Sequence, residues 1–557
     1  MKTRLSGPWL RGASILLFWF AGICAARAQN RWINSGSGLW QVGSNWSAGA
    51  PPGSATTLTL ITNANTKTVT IDAATPAANL ALLKLTVSAP PGSTNTLQLL
   101  DLGASNPFQA LNTFTIDNGG ALYLTNSALV VAGAGSLNIL GGIAILESGL
   151  LDVSSVTTRV GRVTSGSLRV KTGTVQAGEI IVGEFPGSQG TLTIEGGIVA
   201  LSSLLSLGDG ATSTGIVSLI GGQLSVTNDI TKIGNLGTGQ MVVSNATATL
   251  ANVSVGRHDG ASGALTVGTD GTLSLSNDLS IGRFSGGSGS VLVSGGRLSV
   301  PTNTIWVGRE GAGQFTVGGG AVQALGLLVA ANATNTDSGT LTVTEGTLIV
   351  TSNLVVGNAA FSAAQVWISG GSVNVTNAGE PAFLSVANGT LSLSEGTIVT
   401  DSLLLTNSSG LINFNGGRLE TKGTVVANGA PFTVGDGTTA ATLHLLGGTH
   451  SFADGLVISK NAMLTGCGTI IGTVINNGTI ATNCRAAPAI TGVNWTGTTL
   501  EFSFSTGNGF AYTIEYKSAL NEVNWGTLTS LTGTGGVLTF RDDAPTSPTR
   551  FYRLRVE

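Results

Sequence analysis

Side chains able to do chemistry are sparse in this sequence and seldom cluster. Asp209, Asp229, Asp259, Asp270, Asp278, Glu310, Asp337, Glu345 and Glu395 fall about once per repeat, mostly beside glycine turns. Cleaving a glycoside takes two carboxyl groups facing one bond, and related polysaccharide chemistry often adds a cation or bound calcium. Glu345 and Glu395 hold equivalent places two repeats apart, yet Gly370 holds the place between them and no third group joins them. His444 and His450 flank Gly447-Gly448 with no carboxylate placed beside them, whereas a metal centre needs three or four converging ligands. Neither a Gly-x-Ser-x-Gly elbow nor a Walker loop occurs in a suitable context. No catalytic, cofactor-binding or metal-binding residue is assigned on this reading.

Three other sets invite a binding role. Arg257, Arg283 and Arg309 each follow a glycine at matching places in successive repeats, in a column that begins Glu184, Asp209, Asn235. Such a stripe offers contacts to an acidic glycan, although Asp259 and Glu310 lie close enough in sequence to neutralise part of it. Trp32, Trp40 and Trp46 fall within 15 residues and predict either a buried cap or an aromatic platform on which a sugar stacks. Cys467 and Cys484 are spaced for one disulfide near the end of the repeats, closing a loop that contributes roughly 3 kcal/mol in the chain-entropy picture.

The elements that must position these residues follow from a glycine beat. Gly197, Gly222, Ala246, Gly271, Gly296, Gly320, Gly346, Gly371 and Gly396 recur at intervals of 24 to 26 residues. A second column, Gly183, Gly208, Gly234, Gly256, Gly282, Gly308, Ala330 and Gly357, runs in step. Within one unit, Ser290–Val293, Arg297–Val300 and Thr304–Val307 are short alternating runs separated by turns. Alternation predicts that Val291, Val293, Leu298, Val300, Ile305 and Val307 face one interior. Three short strands per coil of about 25 residues describe a right-handed parallel β-helix in an all-β chain. Asn228, Asn252, Asn277, Asn303 and Asn353 recur at one corner and predict an amide ladder. About 16 coils at about 4.8 Å each make a rod roughly 75–80 Å long.

Composition agrees with an exported scaffold. Only 10% of residues are charged and 82 of 557 are glycine. Residues 1–28 read as a signal peptide: Lys2, Arg4 and Arg11 precede the apolar Leu16-Leu17-Phe18-Trp19-Phe20, and Ala26-Arg27-Ala28 is a cleavage site. Ile23 is too large to precede a lipidated Cys24. The mature chain keeps 21 basic and 28 acidic residues, a balance that disfavours nucleic acid. Beyond the leader no apolar run is long enough to span a membrane. The expected sections are a Trp-rich cap (29–75), the β-helix (76–485) and a C-terminal domain (488–557). In the last of these Thr499–Phe504, Ala511–Tyr516 and Arg550–Val556 alternate like the strands of a small fibronectin III or immunoglobulin-like β-sandwich.

The unit Gly-x-Gly-x-Leu-x-Val-x-Gly-Gly-x-Leu-x-Val, seen over Ile281–Val300 and Val307–Val322, resembles the repeats of autotransporter passenger domains, closest to those associated with type V secretion and PEP-CTERM proteins of environmental bacteria. Gly38-Leu39-Trp40, Asn45-Trp46-Ser47 and Pro51-Pro52 are similar to the start of such proteins. Gly466-Cys467-Gly468-Thr469-Ile470 with Asn476-Asn477-Gly478-Thr479-Ile480 is similar to their closing motif. The chain carries no translocator barrel, PEP tail or sorting signal, so it looks like a passenger without its own transporter. The resemblance implies an extracellular, cell-surface or periplasmic location and a structural or adhesin-like role. Its partners would be polysaccharide or other surface proteins. A carbohydrate-active enzyme or sugar-binding module on the same scaffold is the alternative.

Overall fold

A computed structural model describes residues 29–331, 338–358, 363–482, 488, 490–496, 498–507, 510–543 and 549–556. The expected signal peptide and Cys484 therefore lie outside the described residues. The chain is all-β, and its main body is a parallel β-solenoid of about 17 turns. One unit shows how it is built. Ser262–Val267, Thr272–Leu275 and Leu279–Ile281 are the three strands of a coil. They pair in parallel with Ser288–Val293 and with the two halves of Arg297–Val307 in the next coil. Three parallel sheets therefore run the length of the solenoid, here called the first, second and third in chain order.

The inward pattern matches the alternation. Val291 is 2% exposed, and Val293, Leu298, Val300, Ile305 and Val307 are fully buried. Each coil buries its apolar side chains only by stacking on its neighbours. Both glycine columns sit where the backbones of stacked coils approach closely. Gly282 closes a third strand at φ +64°, and a Cβ there would stand 2.3 Å from the Ala312 carbonyl oxygen of the next coil. Gly296 has an ordinary φ, and a Cβ would stand 2.4 Å from the carbonyls of both Gly268 and Gly271. Gly222, Gly320, Gly346, Gly371 and Gly396 of the first column also take positive φ, so both columns combine close backbone contact with left-handed turns, and Gly197, Gly271 and Gly296 are kept by contact alone.

Two expectations about corners are corrected. No break separates Val300 from Thr304: Arg297–Val307 is one strand that shifts register across Pro301–Asn303. The corner asparagines do not bond to one another where they reach across coils. Asn228 donates to the Ser202 carbonyl at 3.2 Å and Asn303 to the Ser276 carbonyl at 2.9 Å. Corner carbonyls lie outside the sheet ladder, so they are the nearest unsatisfied acceptors for an amide.

The Trp-rich section is itself coiled. Gln29–Arg31 pairs in parallel with Leu58–Leu60, and Gly38–Leu39 with Val69–Thr70. Trp32, Trp40 and Trp46 fill the interior at this end, each no more than 2% exposed. Trp46 packs edge-on to Trp32 and Trp40 at 5.1 and 4.7 Å, and Trp40 packs on Phe108 at 5.5 Å. Their indole N–H groups donate to the carbonyls of Gly36, Asn79 and Trp40. The platform reading of Trp32, Trp40 and Trp46 is thereby corrected, because no face is left for a sugar. Beside them Lys67, 2% exposed, donates from Nζ to the carbonyls of Asn63, Ala64 and Asn65 and to Asn95 Oδ1 at 2.5–3.0 Å.

The C-terminal section forms two three-stranded antiparallel sheets. One comprises Ile490–Thr496, Thr499–Ser505 and Val537–Asp542; the other comprises Gly526–Thr532, Ala511–Lys517 and Phe551–Val556. Leu500, Phe502, Phe504, Tyr512 and Ile514 make one small apolar cluster between them.

Candidate functional site

Among the described residues, the third sheet gathers Lys232, Arg257, Arg283 and Arg309 beside the partly exposed rings of Phe284 and Trp306. Its outward column is Ser206, Lys232, Ser254, Ser280 and Trp306, in register from coil to coil. Two residues later each strand reaches a left-handed glycine: Gly208, Gly234, Gly256, Gly282 and Gly308. That turn folds the next side chain back toward the same outward face. Asp209 accepts from Ser206 Oγ at 2.5 Å, and Arg309 Nη1 donates to Ser280 Oγ at 3.2 Å.

The column after the glycine changes sign along the rod. Glu184 lies between Arg159 and Arg162 at 3.1 and 2.9 Å. Asp209 accepts from the Asn235 amide at 2.9 Å. Arg257, Arg283 and Arg309 then occupy three successive coils, each half-buried. Arg257 and Arg283 stand 5.7 and 5.2 Å from the Phe284 ring, which His258 stacks upon at 5.0 Å. Arg309 lies 4.6 Å over Trp306, and Trp306 Nε1 donates to Asp278 at 3.3 Å. Among the described residues the ion pair on this strip is Arg309 with Asp278 at 3.9 Å.

Like charges act on Lys232 and Arg283, while Asp209, Asp229, Asp278 and Glu310 offset part of that effect. Burial and then the charge of Arg257 hold the Lys232 ammonium below the usual lysine range. Burial, followed by Arg257 and Arg309, lowers Arg283, and burial alone lowers Arg257. The guanidinium groups keep their charge at neutral pH regardless. His258 is held below the ordinary histidine value by burial and then by Arg257, Lys232 and Arg283. Ser254 lies beneath this group fully buried, and its Oγ and the Nε of Arg257 have no hydrogen-bond partner among the described residues. An arrangement of this kind is relieved by an anion, which would satisfy donors and offset like-charge repulsion together.

Arg257, Arg283 and Arg309 thus come together as the glycine register implies, whereas Trp32, Trp40 and Trp46 lie buried at the N-terminal end. Cys467 is half-buried on the strand Ala462–Ile471, and its expected partner Cys484 lies outside the described residues. Lys232, His258, Phe284 and Trp306 escape a reading by column alone. Their signal was the interval to the second glycine column: Lys232 and Trp306 each stand two residues before it. Glu345 and Glu395 are exposed and belong to separate coils. Among the described residues no three His, Cys, Asp or Glu side chains gather as metal ligands, and no helix is long and apolar enough to cross a membrane. No protein-family model, curated protein or solved structure matches the chain.

Proposed function

We propose that this chain is an exported bacterial structural rod, adhesin-like, that holds acidic polysaccharide along the strip of Lys232, Arg257, Arg283 and Arg309. The observation that carries the reading is Arg257 and Arg283 stacked on successive coils around Phe284, with the nearest ion pair one coil away at Arg309. Coils about 4.8 Å apart present charge at regular intervals, which suits a ligand with a repeating carboxylate or sulfate. Contacts that are individually weak add through multivalency. A solenoid is stiff along its axis, so the spacing survives binding.

The same reading includes a right-handed winding, as parallel crossovers favour, and a fibronectin III or immunoglobulin-like sandwich formed by the two C-terminal sheets. It also includes cleavage after Ala28, a surface or extracellular location, and a Cys467–Cys484 disulfide near the end of the rod. Pull-down on insoluble acidic and neutral polysaccharides, with a reducing-end assay on the same samples, tests it. Retention on the acidic polymer without new reducing ends supports a binding rod. Turnover that disappears in carboxylate variants would replace it with a carbohydrate-active enzyme.

A further inference from the structure

Among the described residues, nothing stacks on the last coil of the solenoid. Ile480 stacks on Leu464 and Val474 on Leu456, so both belong to the inward columns. Leu464 and Leu456 are buried, yet Ile480 and Val474 are 41% and 36% exposed, and among the described residues no further coil follows. Ile471 and Ile475 add more apolar surface at the same end. The other end of the rod is plugged by three tryptophans, so the two ends are not equivalent.

A matching surface begins after the seven residues 483–489. Ile490–Thr496 is an edge strand that pairs with Thr499–Ser505. Its Ile490, Val493 and Trp495 oppose Phe504, Phe502 and Leu500, and directly opposed residues share one face of a sheet. That face is the buried one: Phe502 and Phe504 are at most 2% exposed, while Val493 and Trp495 are 67% and 57% exposed. The second sheet covers the middle of the face and leaves this strand overhanging.

We propose that the C-terminal sheets cap their own rod, the overhang of Ile490, Val493 and Trp495 seating on the inward-column residues Val474 and Ile480. The segment 483–489 reaches at most about 25 Å, which keeps the overhang within range of the open coil. A tether this short sets an effective concentration in the millimolar range, so even a weak apolar contact is occupied within one chain. A second copy stacking on the open end has no such advantage at ordinary concentrations.

Hydrogen–deuterium exchange on the intact chain tests the proposal. Amides of Val474–Thr482 should exchange about tenfold faster in a Val493→Asp/Trp495→Asp variant than in the native chain, with the rest of the rod unchanged. In the reciprocal arm, Ile480→Asp should raise hydroxyl-radical labelling of Trp495. The substituted side chains Ile480, Val493 and Trp495 are 41%, 67% and 57% exposed, and unchanged exchange in the rest of the rod and of the C-terminal sheets checks that each variant stays folded. Equal exchange in native and variant chains, or unaltered Trp495 labelling, overturns the proposal. Protection that fades on dilution of the native chain overturns it too, by assigning the end to a second copy.

Discussion

Replacing Gly282 with alanine separates the two reasons for a glycine at that place. At φ +64° the new side chain sits in the left-handed region, which costs about 1–2 kcal/mol for an L-residue. The Cβ would also stand 2.3 Å from the Ala312 oxygen and 2.5 Å from its carbonyl carbon, so the next coil must move. Gly282 donates to the Val255 carbonyl at 2.8 Å, and its own carbonyl accepts from Arg309 and Gly311 at 3.0 Å. Loosening two of these bonds adds about 2 kcal/mol, for a total of about 3–4 kcal/mol. Gly260 supplies the control, since its φ is +72° and nothing lies within 4 Å of a Cβ built there. Gly260→Ala should therefore cost only the conformational share of about 1–2 kcal/mol. A solenoid opens locally, so the readout is amide exchange of Ser288–Val293 and Ala312–Val317 instead of a global melt. A gap of about 2 kcal/mol between the variants is about thirtyfold in local opening. Equal effects in the two variants would refute the close-approach argument and leave backbone conformation alone to explain the column.

Other positions give equally direct readouts. Trp46→Ala empties the centre of the aromatic plug and should destabilise the N-terminal coils by about 3–5 kcal/mol, seen as faster exchange over 29–71. Lys67→Met leaves buried carbonyl acceptors without their donor and should cost on the order of 3 kcal/mol in the same segment; an unchanged segment would contradict the buried-ammonium account. His450 is fully buried, bonded to Thr424 Oγ1 at 3.0 Å and the Gly447 carbonyl at 2.8 Å, and burial lowers its pKa from 6.5. The unfolded chain then takes up the proton first, so this contribution is complete above about pH 6.5 and declines as pH falls toward the lowered folded value. Thermal scans at pH 7 and pH 5 should show a smaller drop for His450→Gln than for the native chain.

The solenoid was legible because its signal is redundant. Many coils repeat one pattern of inward Val, Leu and Ile, and a single glycine register aligns them all. The same register placed Arg257, Arg283 and Arg309 in one stripe. It did not reveal Lys232 or Trp306 as members, because that requires knowing that the chain folds back over its own third strand after each left-handed glycine. Trp32, Trp40 and Trp46 show the opposite limit. Aromatic type and spacing are the same for a plug and a platform, and only the parallel pairing of Gln29–Arg31 and Gly38–Leu39 with the next coil, together with the burial of all three rings, shows that they point inward. The asparagine ladder failed for a local reason: a free corner carbonyl lies nearer than the next amide, as Asn303 and Ser276 demonstrate.

The reading of the strip as an anion-binding surface stands or falls on one titration. An acidic polysaccharide and its neutral counterpart are titrated calorimetrically into the native chain and an Arg257→Glu/Arg283→Glu variant at low and high salt. The account predicts binding of the acidic polymer alone, weakened by salt and reduced at least about tenfold by the charge reversals. Equal binding of both polymers, or an unchanged affinity in the variant, would contradict it.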